Sequence, residues 1–542
     1  METQVDIVIV GGGHNGLTAA AYLSKAGLSL RVLERLPIFG GAAVSEKTFA
    51  GVDAKLSRYS YLVSLLPKKI IEDLGLDIKL APRRYSSYTP LPGTKKGLLV
   101  DNHDQANTQS SFDSIGASAD AKAWQEFYQK TTLLAQALFP TVLSPLMTRS
   151  EAKAKLVELA GTDQIWNEFI ENPVGKVIES SFESDLVRGV VLTDGMIGTF
   201  GSNLDSSLDV NKCFLYHVIG NETGEWNIPI GGMGQVSEGL RKAALDAGAT
   251  LLADCEVAHI AEDGTVAYVS HTPGYADEIL ETEQIKARFV LANVSPTELE
   301  KLTGIKDVVP TATKADGAQV KVNLLLKRLP KLKDEALDPV AAFGGTFHIN
   351  ETYDQLQTAF EKATRGEIPN PLPCEIYCHS LTDPTILSKE LQEQGAQTLT
   401  VFALHTPHSL LAGKNNTEMR EQLTRAVMDS LNSVLAEPIE DLLMVDENGK
   451  PCIETKTTQD LQDALRLPGG NIFHGALEWP FVEDGDDRSS PAKRWGVATK
   501  QENLLVCGSG ARRGGAVSGI AGHNAAQAVL EMLSQSDLPS SQ

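Results

Sequence analysis

Cysteine is scarce. The chain of 542 residues holds six: Cys213, Cys255, Cys374, Cys378, Cys452 and Cys507. That density excludes a disulfide-stapled scaffold, and no Cys-x-x-Cys pair or zinc-ligand spacing occurs, so no metal centre is expected. Positive charge is also short, with 48 Lys and Arg against 70 Asp and Glu and a net charge of −22. A chain this acidic lacks the basic surface that displaces counterions from phosphates. A non-specific nucleic-acid binder is excluded, as is adhesion to anionic lipid through charge alone. No apolar run reaches the roughly 18 residues needed to span a bilayer, and a strand beginning at Val5 leaves no room for a leader peptide. Hydrolase signatures are missing too: there is no Gly-x-Ser-x-Gly elbow, His-Glu-x-x-His motif or paired-carboxylate pattern. The expectation is a soluble, cytoplasmic protein.

Apolar residues make up 42% of the chain, enough to bury large cores. The length exceeds the roughly 250–300 residues that one core serves, so at least two domains are expected. The chemistry starts at the N-terminus. Val5 to Val10 is a short apolar run, as a buried parallel strand should be. Gly11-Gly12-Gly13-His14-Asn15-Gly16 follows, then a small-residue helix from Leu17 ending near Gly27, a second strand from Leu28 to Leu33, and Glu34. This is the strand–GxGxxG–helix–strand–acid order of a dinucleotide site. Gly11 serves the turn, Gly13 the approach of a pyrophosphate, and Gly16 the contact of helix and strand. The helix N-terminus offers unpaired N–H donors to the phosphates. Glu34 is placed to accept from the adenosine ribose, and it repels a 2′-phosphate, with Arg35 the one feature pointing the other way. His14 either touches the pyrophosphate or is a solvated loop residue.

A second glycine pair, Gly40-Gly41, with Ala42 and Ala43, lies six residues past Glu34. A nicotinamide dehydrogenase has no need of a close backbone approach there, whereas extended FAD does. Near the C-terminus Asn503 to Cys507 reads as another buried strand. It runs into Gly508-Ser509-Gly510-Ala511-Arg512-Arg513-Gly514-Gly515 and a helix rich in Gly and Ala from Val517. A Gly-rich strand-to-helix turn presents N–H groups to the ribityl and pyrimidine end of a flavin; a packing helix with incidental glycines is the alternative. In the middle, Gly231-Gly232-Met233-Gly234 opens a helix capped by Gly248. Strands follow at 250–260, 265–270 and 279–286, then a separate one at 287–293. Val257 is placed to offer its backbone to an adenine.

Together and in this order, these segments resemble the FAD-dependent amine-oxidase and phytoene-desaturase superfamily. The likeness is greatest to its pyridine-nucleotide-disulfide-oxidoreductase-domain-2-like branch. It is carried by Asp6–Glu34 with Gly40 to Val44, Leu56 to Leu66, Gly231 to Gly234, Leu467 to Gly475 and Leu505–Ala526, and more weakly by Tyr216 to Gly220 and Asp383-Pro384-Thr385. The resemblance implies non-covalent FAD and redox work on an organic, usually apolar, substrate. Neither a second GxGxxG nor a redox disulfide is visible, so the pyridine-nucleotide half of the branch name finds no support in the chain. Relatives carry His-Pro where this chain has Arg512-Arg513, which either adds positive charge beside a reduced flavin or points into solvent.

The fold expected is α/β: a Rossmann-like FAD-binding domain of glutathione-reductase or amine-oxidase type with an inserted α+β substrate domain. The FAD domain is assigned to residues 1–70, 225–300 and 455–542, and the substrate domain to 71–224 and 301–454. Within the insert, the apolar stretch from Trp124 to Met147 is a core helix pair, a tunnel wall or a segment dipping into a membrane surface. Removal of hydride needs the donor carbon held near the flavin and water excluded. Arg58, Tyr216, His217 and His474 are the catalytic candidates, with Ser60 as a further lining residue and Arg512 and Arg513 near the pyrimidine edge. The leading reading is a dehydrogenase, isomerase or saturase of an isoprenoid-like compound, with oxygen or a quinone as electron acceptor. Flavin amine oxidation and a non-catalytic flavin-binding scaffold are the alternatives. Peripheral membrane contact and oligomeric state stay open.

Overall fold

The computed structural model describes residues 3–272 and 275–536. Its first sheet is built from β1 (Thr3–Val10), β2 (Leu30–Leu33), β3 (Thr250–Leu252), β4 (Cys255–Ile260), β5 (Thr265–Thr272), β6 (Tyr275–Ala292) and β7 (Leu504–Val506). The spatial order is β4-β5-β6-β1-β2-β3, with β7 also on β6. β1 runs parallel to both β6 and β2, β3 parallel to β2, and β7 parallel to β6. The apolar run Ile7-Val8-Ile9-Val10 is buried at the centre of this sheet, between parallel neighbours β6 and β2, under a layer of helices. One of them, α1 (His14–Lys25), packs between α2 (Gly234–Asp246) and α3 (Ile520–Ser536). Gly522 makes the α1–α3 approach feasible: a Cβ there would lie 2.0 Å from the Asn15 carbonyl oxygen.

Two strands expected at 279–286 and 287–293 are one. β6 pairs antiparallel with β5 through Lys286, then parallel with β1 from Ile285 onward. A single long strand therefore carries the β4–β5 ribbon on its first half and the dinucleotide sheet on its second. A chain that changes partner without turning leaves no break in its sequence pattern.

The second sheet is also seven-stranded. Its order is Ile453–Lys456, Val320–Leu326, Gln397–Ala403, Cys374–Tyr377, Thr346–Ile349, Tyr85–Pro90, Gly97–Asp101. Neighbours are antiparallel except Thr346–Ile349 on Tyr85–Pro90. Val320–Leu326 is buried at every position. The boundary placed at residue 70 falls inside helix Lys68–Leu74, whose Ile70 packs with Leu17, Met233 and Leu240 of the first domain. The boundary at 455 cuts strand Ile453–Lys456, which belongs to the second sheet.

A helical layer completes the molecule. Helix Ser118–Leu138 buries Phe127, Leu134 and Leu138 in one cluster with Trp166, Phe169, Phe182 and Phe214. Where a core helix pair was expected in the Trp124–Met147 stretch, the structure has one core helix, with a 3-10 turn at Phe139–Thr141 after it. Among the described residues no helix is long and apolar enough to cross a membrane.

Candidate dinucleotide and substrate cleft

The carboxyl ends of β1, β2 and β6 converge on the Gly-rich loop, where an open parallel sheet places its ligands. Gly11 has φ +98° and Gly16 sits where a Cβ would fall 2.3 Å from the Gly11 carbonyl oxygen. Asn293, just past β6, donates from Nδ2 to that same carbonyl at 3.0 Å and holds the turn. Gly13 forms a parallel bridge with Gly40, bringing two backbones to the mouth of α1. Glu34 ends β2 with its carboxylate accepting from Gly12 N at 2.7 Å and Leu36 N at 2.8 Å. Burial pushes its pKa up, and the N–H donors of Leu36 and Gly12 oppose that. Each carboxylate oxygen retains acceptor capacity for a ribose hydroxyl.

From here a cleft of about 1730 Å³, open solvent at its mouth included, runs inward. Gly11, Gly13, His14, Glu34, Arg35 and Val257 line its outer half. Gly41, Ala42, Ser509, Gly515 and Val517 line the part nearer the C-terminal turn. Three chain segments far apart in sequence thus meet on one cavity.

Other sequence candidates sit behind this surface. Gly16, Gly40, Ala43, Gly508 and Gly510 do not line the cleft. Gly40 and Gly508 instead meet Ser237 and Asn293 at close quarters, and Gly510 meets Pro296. Asn15 is buried in α1 and reaches Gly514 O at 3.5 Å. Arg513 is 2% exposed and donates to the carbonyls of Thr141, Ser144 and Trp495. Arg512 pairs with Glu478 and donates to Phe481 O at 2.7 Å. Neither arginine lines the cleft or points into solvent; they satisfy carbonyls where the helical layer meets the C-terminal turn. Arg58 is likewise not a cleft residue. Its guanidinium pairs with Glu46 at 2.7 Å and Glu454 at 2.8 Å.

Tyr216, His217 and His474 do line the cleft, joined by Tyr61, Trp226 and Phe402. Tyr61 stacks on Trp226 with centroids 5.8 Å apart and lies 4.8 Å from Phe402. His217 is fixed by its Nδ1 contact to Cys213 O at 2.8 Å, and Trp226 donates from Nε1 to His217 O at 3.0 Å. Tyr216 spends its hydroxyl on Glu478 O at 3.0 Å. Burial lowers the pKa of His14, His217 and His474 to about 4 each, so all three are neutral at pH 7.

Gln319, in a loop before strand Val320–Leu326, carries no sequence signal. It is 3% exposed, lines the cleft, and among the described residues neither Oε1 nor Nε2 has a partner. Ser60 Oγ and His474 Nδ1, on two other cleft residues, are buried and unpartnered too. A buried polar atom left unsatisfied costs about 1–3 kcal/mol, so these groups suit a ligand edge that donates and accepts. Lys321 stands behind them. Its ammonium donates to the carbonyls of Ser57 and Ser60, and burial lowers its pKa to about 7.

Residues 9–67 match the NAD(P)-binding Rossmann-like domain family. Over 532 residues the chain is 51% identical to an uncharacterised protein of Mycobacterium tuberculosis (strain ATCC 25618 / H37Rv), covering 97% of each chain. It is 30% identical to the pyridine nucleotide-disulfide oxidoreductase domain-containing protein 2 of Mus musculus, over 98% of this chain and 94% of that one. A limonene dehydrogenase component from Castellaniella defragrans is 25% identical over 97% of this chain and 95% of its own. Among solved structures, cyclohexylamine oxidase from Brevibacterium oxydans superposes with a TM-score of 0.54 at 16% identity, covering 98% of this chain and 99% of its own. A putrescine oxidase with putrescine bound gives 0.54 at 15% identity, covering 99% and 100%. These two show the fold: a Rossmann-like dinucleotide-binding domain joined to an amine-oxidase-like second sheet.

Proposed function

Because the chain belongs to the oxidoreductase family of pyridine nucleotide-disulfide oxidoreductase domain-containing protein 2, we propose that it is an FAD-dependent enzyme dehydrogenating, isomerising or saturating an apolar, isoprenoid-type substrate. The residues fit the cofactor. Gly11, Gly13 and the N-terminus of α1 would take the pyrophosphate, Glu34 the ribose, and Val257 the adenine. Gly41, Ala42, Ser509 and Gly515 to Val517 would take the remainder. When bound, FAD supplies two-electron redox chemistry at carbon.

The observation that carries the substrate class is where charge stops. The charged residues lining the cleft are Glu34, Arg35, Glu256, Glu298 and Arg466, and Arg466 gathers Glu256 and Glu298 on the side where Glu34 would hold the ribose. Deeper in, the wall is Tyr61, Leu62, Ile197, Phe402, Phe473 and Leu477, with histidines held neutral by burial. A buried ammonium would find no carboxylate partner on this wall, whereas a hydrocarbon is accommodated without penalty. The name of the limonene dehydrogenase relative points the same way. The residues' work is to hold a donor carbon, exclude water and keep the wall uncharged.

The test is anaerobic mixing of the FAD-loaded protein with limonene and longer isoprenoid alkenes, and separately with primary amines, following the visible flavin band. Bleaching by an alkene and not by amines is expected. Bleaching by amines alone would replace this reading with amine oxidation.

A further inference from the structure

Away from the cleft, between the second sheet and the helical layer, lies a cluster of ionisable side chains that neither the fold nor the redox site requires. His348 sits on strand Thr346–Ile349, and its register partner across the ladder is Glu375 on Cys374–Tyr377. Just past the strand end, Asn350 adopts φ +58°, a left-handed conformation that asparagine tolerates better than most residues. That turn brings Glu351 back onto His348, with Oε2 2.6 Å from Nδ1. His348, Glu351 and Glu375 are 5%, 1% and 3% exposed. One ligand atom from each lies within 4.8 Å of the others.

Their hydrogen bonding is incomplete. Among the described residues these side chains make the His348–Glu351 bond and one from the Tyr377 hydroxyl to Glu375 Oε2 at 2.6 Å. Glu351 Oε1 is buried with no partner. Charge is unbalanced as well. Asp194 adds a third, half-buried carboxyl to the neighbourhood, against the guanidinium of Arg83. Two carboxylates in a medium that penalises charge stay ionised where a cation pairs with them and otherwise take up protons.

We propose that His348, Glu351 and Glu375 bind a divalent transition-metal ion of the zinc or manganese class. One imidazole and two carboxylates, without thiolate, suit these ions. Two carboxylates cancel the ion's charge, leaving a neutral buried centre. Tetrahedral ligands about 2.0–2.2 Å from a metal stand about 3.3–3.6 Å apart, so the three side chains would draw inward on binding. Tyr377 supplies the outer hydrogen bond that orients a metal-bound carboxylate. Glu351 stands just ahead of helix Tyr353–Thr364, which packs on Asp185–Leu192 of the helical layer. The ion therefore fixes the turn that leads from the second sheet into that helix. Tyr377 also lies 5.0 Å, centroid to centroid, from Tyr61 of the cleft wall.

The test is elemental analysis of the purified full-length protein, then calorimetric titration of chelator-stripped protein with Zn²⁺ and with Mn²⁺. About one ion per chain and a raised unfolding temperature on reloading are expected. Tyr377→Phe should weaken binding roughly 10- to 100-fold with unchanged far-ultraviolet dichroism, and Glu351→Gln should abolish it. Wild-type protein that neither carries nor takes up either ion would overturn the proposal, whether or not Glu351→Gln folds. So would binding left unchanged in Tyr377→Phe and Glu351→Gln, because the ion would then sit elsewhere.

Discussion

At the scale of single residues, the outer cleft depends on what is missing from the Gly-rich loop. Gly13 separates folding from binding better than its neighbours. Its φ of −72° is open to any residue, and a Cβ there would lie 3.1 Å from Asn293 Nδ2, a contact a small side-chain shift relieves. The new methyl group would nevertheless stand where a pyrophosphate has to approach. Gly13→Ala is expected to unfold normally but to bind FAD at least about tenfold more weakly, about 1.4 kcal/mol. Equilibrium titration of the stripped protein checks this, and unchanged affinity would remove the loop from the phosphate site. Gly16→Ala is no such probe, since its Cβ would strike backbone.

Residue identity is a good guide where the chemistry is local and a poor one where it is not. Gly11, Gly13 and Glu34 announce themselves because the turn, the helix start and the acid after the strand, all of which line the cleft, are set within one strand–helix–strand unit. Arg513 reads the same beside a glycine turn, yet its partners, Thr141, Ser144 and Trp495, come from loops that no local pattern connects to it. Gln319 carries no signal at all: only the fold reveals that a buried amide before a strand has nothing to bond.

Among the elements, helix Thr458–Leu465 and the turn after it form a strap over the adenosine end of the cleft. Arg35 donates to Ala464 O at 2.7 Å. Arg466, at φ +55°, closes the strap by pairing with Glu298 at 2.7 Å and with Glu256. These pairs are partly exposed, so each contributes at most about 1 kcal/mol. Arg466→Ala is accordingly expected to speed FAD release only roughly three- to fivefold, with little change in the spectrum of bound flavin. Stopped-flow displacement measures it, and an unaltered release rate would mean that the strap does not gate the cofactor. The strap's sequence, Thr457 to Leu465, shows an amphipathic helix but not what it covers. The same limit applies to Trp124–Met147, where a buried helix and a tunnel wall share one apolar pattern.

Across the whole molecule, one ligand site draws on the N-terminal βαβ unit, the β4–β6 ribbon and the C-terminal turn. The order of these pieces made the dinucleotide domain legible. The pairing of the second sheet was not, because its strands are short, come from separate stretches between Tyr85 and Lys456 and pair in an order unrelated to sequence. The inner wall of the substrate space inherits that difficulty: Phe402 and Gln319 come from in or beside strands of the second sheet, and Ile197 from the helical layer. Bound cofactor should therefore tie the two sheets together, since ligand affinity for the native state alone adds directly to stability.

The most direct measurement is the visible spectrum of the purified full-length protein, followed by titration of the stripped protein with FAD. The expected result is a yellow protein holding about one FAD per chain without a covalent link, with an unfolding temperature that rises as FAD is added. A colourless protein that takes up no FAD would contradict the cofactor assignment and the redox function built on it.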